Sequence, residues 1–414
     1  MPSEFKIPIT ARKTSTKFAL FSLGFRPFFL LASIVAVISL PHWMLGYRGF
    51  TGIPDQYPAV GWHAHEMLFG YAAAVIAGFL LTSVRIWTAE DTITGKPLMV
   101  LTLIWLLARI LPLIPSINPA VIGLIDLLFL PLLALAISLP IIKVKQWRNG
   151  IFPLLLLAMT AGNLMIFLQA YYPDKQLAAT GLQVGLWSIL LLIVIMAGRV
   201  VPWFISRGAA DSRPRSLSVV EFLSNWSVAA LGLVIVLDLG SHVITPVAGI
   251  TALVHALRLV FWVSKPVWRV PLLWILIVAY AWTVLGFALV CLSHMGFNIP
   301  HLAMHAFTTG SIGVMTLGLM ARVSLGHSGR TMELHRLTVH AFYLVNIAAL
   351  LRVFVPLIFP QNYVLVMAMA TACWVLAFVF FLIVYTPILV KPRLTPIDLA
   401  LRKSEKSFSS SNPS

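Results

Sequence analysis

Twelve apolar runs, each long enough to cross a bilayer, divide this chain: 20–46, 60–84, 97–114, 119–141, 151–171, 179–204, 217–237, 242–263, 271–293, 301–324, 337–359 and 363–390. A hydrocarbon core about 30 Å thick needs roughly 20 residues of helix, and no segment shows the period-two alternation of a membrane barrel. Composition agrees, with 60% of residues hydrophobic and 10% charged, against about 25% charged in a soluble domain. So few charges cannot make a wet surface, and lipid must cover the chain instead. The expected fold is an all-α membrane protein, a bundle of about twelve transmembrane helices spanning 20–390. It lies between a tail at 1–19 and a serine-rich, largely disordered tail at 391–414. Pro112 and Pro115 close the short third run. The stretch Phe21–Gly46 is too long for a signal-peptide core and lacks a small-residue cleavage site, so it reads as a retained span.

Loop charges test that division. With the amino terminus placed inside, the inside segments hold Lys6, Arg12, Lys13, Lys17, Arg85, Lys96, Lys143, Lys145, Arg148, Arg207, Arg213, Arg215, Lys265, Arg269, Arg330, Arg336, Lys391, Arg393, Arg402, Lys403 and Lys406. Those are twenty-one basic residues, and the outside loops hold Arg48 and Lys175. The positive-inside rule predicts this asymmetry and puts both termini in the cytoplasm. The net charge of +16 therefore reads as a topology signal, reinforced by anionic lipid, and not as a nucleic-acid footprint. Cys291 and Cys373 lie inside spans and say nothing of redox compartment; no Cys-x-x-Cys and no nucleotide-phosphate loop is present.

This topology assigns a depth to each of the eleven histidines. His42, His63, His65, His242, His294, His301 and His305 fall at the outward ends of spans. His255 lies deep in the eighth, and His327, His335 and His340 lie at the inner side. A lone histidine at a helix end is commonly an interfacial side chain, which suits His42, His242 and His294. The set His63, His65, Glu66, His301 and His305 is different, because an ionisable residue inside a span costs free energy and marks function. Imidazole suits haem iron, copper and zinc, so a haem or metal site is expected there, with His63, His65, His301 and His305 as metal candidates. His301 and His305 share a helix face. His63 and His65 point to nearly opposite sides, and serve one site only if His63 sits in an unwound start to the span.

The second span reads His65-x4-Gly70-x7-Gly78 and the tenth His305-x4-Gly310-x7-Gly318, on two helices running the same way. Glycines beside a ligating histidine let a macrocycle lie close to the backbone; ordinary small-residue helix packing is the alternative. Arg26, Arg109, Arg199, Arg258, Arg322 and Arg352 fall within or at the ends of spans, where snorkelling is the default account. His255 and Arg258 share a face suited to a cofactor contact or a proton path, and Asp126 is the expected partner of Arg109. Glu66, His42, Arg199, Arg322 and His327 complete the polar candidates.

Phe25-Arg-Pro-Phe-Phe29, Trp62-His-Ala-His-Glu-Met-Leu-Phe-Gly70, Gly198-Arg-Val-Val-Pro202, His255-Ala-Leu-Arg258 and His305 through Met320-Ala-Arg-Val-Ser-Leu-Gly-His-Ser-Gly-Arg330 together resemble the NnrS family. The resemblance covers essentially every span. It implies a multi-pass bacterial inner-membrane protein containing haem and copper and associated with the response to nitric oxide and nitrosative stress. Twelve spans with histidines on the second and tenth also look like the catalytic subunit of haem-copper oxidases and nitric oxide reductases. That likeness implies haem b held by His65 and either His305 or His301. The sixth and seventh spans hold no histidine, so the copper site of those enzymes is absent, and copper would have to use His63, His301, His42 or His294.

The leading expectation is a haem-binding or haem-copper protein of nitric oxide defence, with nitric oxide as ligand and a quinol or redox protein as electron source. One alternative is a transporter of a metal ion or small anion, against which no six-plus-six repeat is found. Another is a haem- or metal-dependent oxidoreductase turning over nitric oxide; with no Cys-x-x-Cys-His segment, its electrons must come from outside the chain.

Overall fold

A computed structural model describes residues 18–52, 59–297 and 299–395. Residues 1–17 and 396–414 lie outside it, and with them most of both tails, including the expected disorder of the carboxyl end. Among the described residues, twelve helices are long and apolar enough to cross a membrane: α1 Phe25–Tyr47, α2 Gly61–Thr88, α3 Lys96–Leu113, α4 Pro119–Lys143, α5 Trp147–Leu168, α6 Leu177–Gly208, α7 Ser218–Val236, α8 Ser241–Trp262, α9 Pro271–His294, α10 Pro300–His327, α11 Arg336–Ile358 and α12 Pro360–Val390. Among the described residues there is no strand. Local chemistry sets several boundaries. A 3₁₀ turn at Leu111–Leu113, carrying Pro112, ends α3. The Asn118 side chain accepts the Ala120 N–H at 2.9 Å and Pro119 opens α4, a pairing that satisfies a free helix donor where proline needs none.

From α3 to α12 each helix packs on the next, and α12 closes back onto α1. α2 and α10 are the most buried of the twelve and meet each other. Burial follows position: α2 and α10 lie mostly inside the protein, whereas α7 and α8 are mostly exposed. The outward faces of α7 and α8 carry Phe222, Trp226, Leu253 and Val260, all exposed, as lipid-facing helices require. In α2 the run Ala72, Ala73, Ala74, Ala77 is buried completely, because small side chains let neighbouring helices approach.

Both inner helices change geometry at matching places. α2 becomes a π-helix over Glu66–Ala72 and α10 over Ala306–Gly313, each beginning one residue after the aligned histidine. Such wide turns are rare and concentrate at functional sites. The aligned glycines have a different role from the macrocycle contact expected of them. A methyl at Gly70 would stand 3.0 Å from Arg109 Nη1 and Glu66 Oε2, one at Gly78 2.9 Å from Phe29, one at Gly310 2.6 Å from Trp282 and one at Gly318 2.9 Å from Ile275. Protein side chains fill the space over all four, so close helix packing is what these glycines serve.

Candidate functional site

A cavity of about 470 Å³ opens between α1, α2, α6, α10, α11 and α12, at the end of the bundle where α2 and α10 begin. His63, His301 and His305 line it, together with Arg352, Tyr363 and the thioethers of Met67, Met304 and Met367. Trp43, Tyr71 and Trp374 supply aromatic wall. The rings of His63 and His305 are each held by a neighbouring group. The His63 ring stacks on Trp43, with centroids 4.3 Å apart. His305 Nδ1 lies 2.7 Å from the His301 carbonyl oxygen. A carbonyl can only accept, so Nδ1 carries the proton and Nε2 keeps its lone pair. Among the described residues no protein group is hydrogen-bonded to that Nε2. A ring fixed through one nitrogen and bare at the other is the form in which histidine holds a metal.

His65 is not part of this wall. Its helix turns it the other way, toward α3, α4 and α5. Nδ1 lies 3.2 Å from Glu66 Oε1, and Nε2 lies 3.1 Å from Asp126 Oδ2 and 2.9 Å from Asn163 Oδ1. Asn163 gives its Nδ2–H to Asp126 Oδ2 at 2.7 Å, which fixes its Oδ1 as the atom facing His65. Arg109 donates to Glu66 Oε1 at 2.8 Å and is ion-paired with Asp126, the partner expected from the sequence. These acceptors at both ring nitrogens are all satisfied by an imidazolium, which balances Arg109 and His65 against Glu66 and Asp126. The four charged groups are almost fully buried, and buried charges persist only when paired and hydrogen-bonded. With both ring nitrogens engaged by protein groups, His65 offers neither to iron. The expected ligand pair of His65 with His305 is therefore not brought to one cavity, whereas His63 with His305, or with His301, is. The two histidines of Trp62-His-Ala-His serve two sites, as opposite-facing positions on one helix must.

The other expected site residues are engaged elsewhere. Arg258 donates to Tyr280 Oη at 2.9 Å and to the Val194 carbonyl at 3.0 Å, and is ion-paired with Glu221. Tyr280 Oη in turn lies 2.6 Å from His255 Nδ1, while His255 Nε2 donates to the Ser224 carbonyl at 3.1 Å. His255 and Arg258 thus spend their polar atoms on protein groups and do not line the cavity, so the cofactor contact expected of them has no geometric counterpart. Arg199 donates to Asn149 Oδ1 at 2.8 Å and lies over Phe152. Arg322 stacks on Phe204 at 3.8 Å, and His327 packs on Phe25. His42 lies edge-on to Trp62 and lines a separate apolar recess between the ends of α1, α4 and α5. His294 Nδ1 donates to the Val290 carbonyl. Among the described residues no three His, Cys, Asp or Glu side chains gather as a metal cage. The soft donors on offer are instead histidine and methionine.

Sequence reasoning gave Arg352 no role beyond snorkelling and passed over Tyr363 and the three methionines. A signal for two of them existed: Met67 follows His63 by four residues and Met304 follows His301 by three, spacings that share a helix face. Asn163 and Tyr280 gave no such signal, since their partners lie 37 and 22 or more residues away in the chain.

No curated protein matches the chain. The profile of a family described as NnrS protein matches residues 19–393, which is nearly the whole length and every one of the twelve helices. The chain belongs to the NnrS family.

Proposed function

We propose that the chain is a haem-binding protein of the bacterial inner membrane that acts in the nitric oxide response. Both termini are placed in the cytoplasm and the cavity toward the outside, on the strength of the loop charges. His63 and His305 are the proposed haem ligands. The observation that carries the reading is the His305 imidazole, proton-fixed at Nδ1 by the His301 carbonyl and bare at Nε2, in a cavity that also holds His63. Apolar and aromatic walls around a few directed polar groups are what a large flat cofactor needs. Haem bound there supplies an iron centre for single-electron transfer or for nitric oxide ligation. His301 with the thioethers of Met67, Met304 and Met367 is the soft donor set for copper, since thioether and imidazole suit that metal. The protein's own residues do the rest: they orient the ligand rings, exclude water through Trp43 and Trp374, and leave the bundle ready to take electrons from a quinol or a partner protein.

The test is the optical spectrum of membrane-purified protein, oxidised and reduced, with iron and copper analysis. A Soret band is expected, and His63→Ala and His305→Ala should each abolish or shift it, whereas His65→Ala leaves it in place in the folded fraction. Protein with neither chromophore nor metal refutes the reading, and metal uptake into proteoliposomes by such protein would favour a transporter. A nitric oxide electrode with a quinol donor separates turnover from stoichiometric binding.

A further inference from the structure

Most arginines within the spans of this bundle are matched to acceptors, and buried Arg322 is stacked on the Phe204 ring instead. Arg109 and Arg258 pair with carboxylates, Arg26 donates to the carbonyls of Leu389 and Lys391 at the end of α12, and Arg199 donates to Asn149. Arg352 is different. It sits near the cavity end of α11 and lines the cavity, and among the described residues its one hydrogen-bond partner is the Tyr363 hydroxyl, 2.8 Å from Nη1. Among the described residues no carboxylate pairs with it. It shares the cavity wall with His63, His301 and His305. Because Tyr363 accepts from Arg352, the phenol proton is left to donate, and Tyr363 lines the same cavity. The pair offers guanidinium N–H groups and one O–H beside the three imidazoles.

A cation facing an apolar cavity inside a bilayer is costly until an anion joins it. A guanidinium fork matches two oxygens on one planar group. We infer that Arg352 and Tyr363 form a carboxylate-docking point in the cavity, and that its occupant is a propionate of the bound haem. The inference rests on the haem reading above and deepens it: the histidines fix the iron, and Arg352 fixes which edge of the macrocycle lies toward α11 and α12. A small inorganic oxyanion such as nitrite shares this chemistry, so the experiment must separate the two sources.

Full-length protein, produced without haem and purified in detergent, is titrated with haemin and with haemin dimethyl ester, following the Soret band. The wild type should favour haemin over the ester by about 10- to 100-fold, the range for a charge-assisted hydrogen-bonded pair. Arg352→Ala should bring that ratio close to one, Arg352→Lys should keep part of it, and Tyr363→Phe should lower it by a few-fold. Equal affinities of the wild type for haemin and ester overturn the inference without needing any variant to fold, as does an undiminished ratio in Arg352→Ala. Nitrite that perturbs the wild-type spectrum but not that of Arg352→Ala, with no haemin–ester difference, assigns the site to the inorganic anion and overturns the propionate assignment. A wild type that binds neither porphyrin refutes the haem reading itself.

Discussion

Replacing Arg109 by methionine removes the donor that holds two buried carboxylates apart. Glu66 and Asp126 would then face His65 alone, two negative charges against one positive, at side-chain exposures near 5%. Breaking a buried pair in this way costs about 3–5 kcal/mol, because an uncompensated charge stays behind. Asp126→Leu leaves the opposite imbalance, Arg109 and His65 against Glu66, and should cost a similar amount. The double variant Arg109→Met with Asp126→Leu restores neutrality, with His65 still beside Glu66 at 3.2 Å. It should therefore be more stable than the sum of the single effects by about 2 kcal/mol or more, within the range measured for directly coupled residues. Equilibrium unfolding of the four proteins in mixed micelles, followed by tryptophan fluorescence and checked for reversibility, closes the cycle. Additivity within about 0.5 kcal/mol would refute the argument that these groups form one charge-balanced unit.

Further outcomes follow from the same contacts. Gly70→Ala should destabilise by about 1–3 kcal/mol, since its methyl meets Arg109 and Glu66 at 3.0 Å; a neutral result in thermal unfolding would mean the ion pair yields freely. Gly310→Ala should cost at least as much, because Trp282 stands 2.6 Å away and is also bonded to Asn346. Tyr280→Phe takes the hydroxyl from between Arg258 and His255, and should cost about 1–3 kcal/mol through the buried groups left unpaired, read by the same unfolding assay. Single cysteines at Lys175 and Arg213, in a background where Cys291 and Cys373 are replaced by alanine, should react with an impermeant maleimide from opposite sides of spheroplast membranes; labelling from one side would overturn the orientation drawn from loop charge.

The spans were legible because the bilayer imposes one length and one composition on every helix. Each expected run overlaps an observed helix, and the ends differ by a few residues where caps and proline turns decide them. The pairing of Arg109 with Asp126 was legible for a related reason: two opposite charges in apolar spans have few ways to be neutralised. The choice between His63 and His65 was not. Helical periodicity shows that they point apart but not which side faces α1 and α10. That depends on how α2 is rotated in the bundle, and the rotation is fixed by contacts as remote as Asn163, 98 residues from His65. Arg352 was hidden by the same limit, because snorkelling and cavity lining give one and the same sequence signature.

The aligned histidines show how two equal sequence patterns acquire unequal chemistry. His65 and His305 each precede a π-turn on an inner helix, so the backbone treats them alike. What differs is the company. α3, α4 and α5 bring Arg109, Asp126 and Asn163 to His65, and acceptors on both ring nitrogens call for a charged ring. Around His305 the hydrogen-bonding neighbour is a backbone carbonyl, and the charged side chain that lines the same cavity is Arg352. With an acceptor at one ring nitrogen among the described residues, the ring needs one proton and keeps a lone pair at the other nitrogen. Exchanging the surroundings should exchange the roles. With Asp126→Asn and Glu66→Gln together, His65 loses both carboxylates while Arg109 remains, and the ring should become neutral. The ¹⁵N chemical shifts of His65 would then move from the imidazolium to the neutral pattern, while those of His305 stay as they were. An imidazolium signal surviving at His65 in that double variant would show that the acids are not what charges the ring.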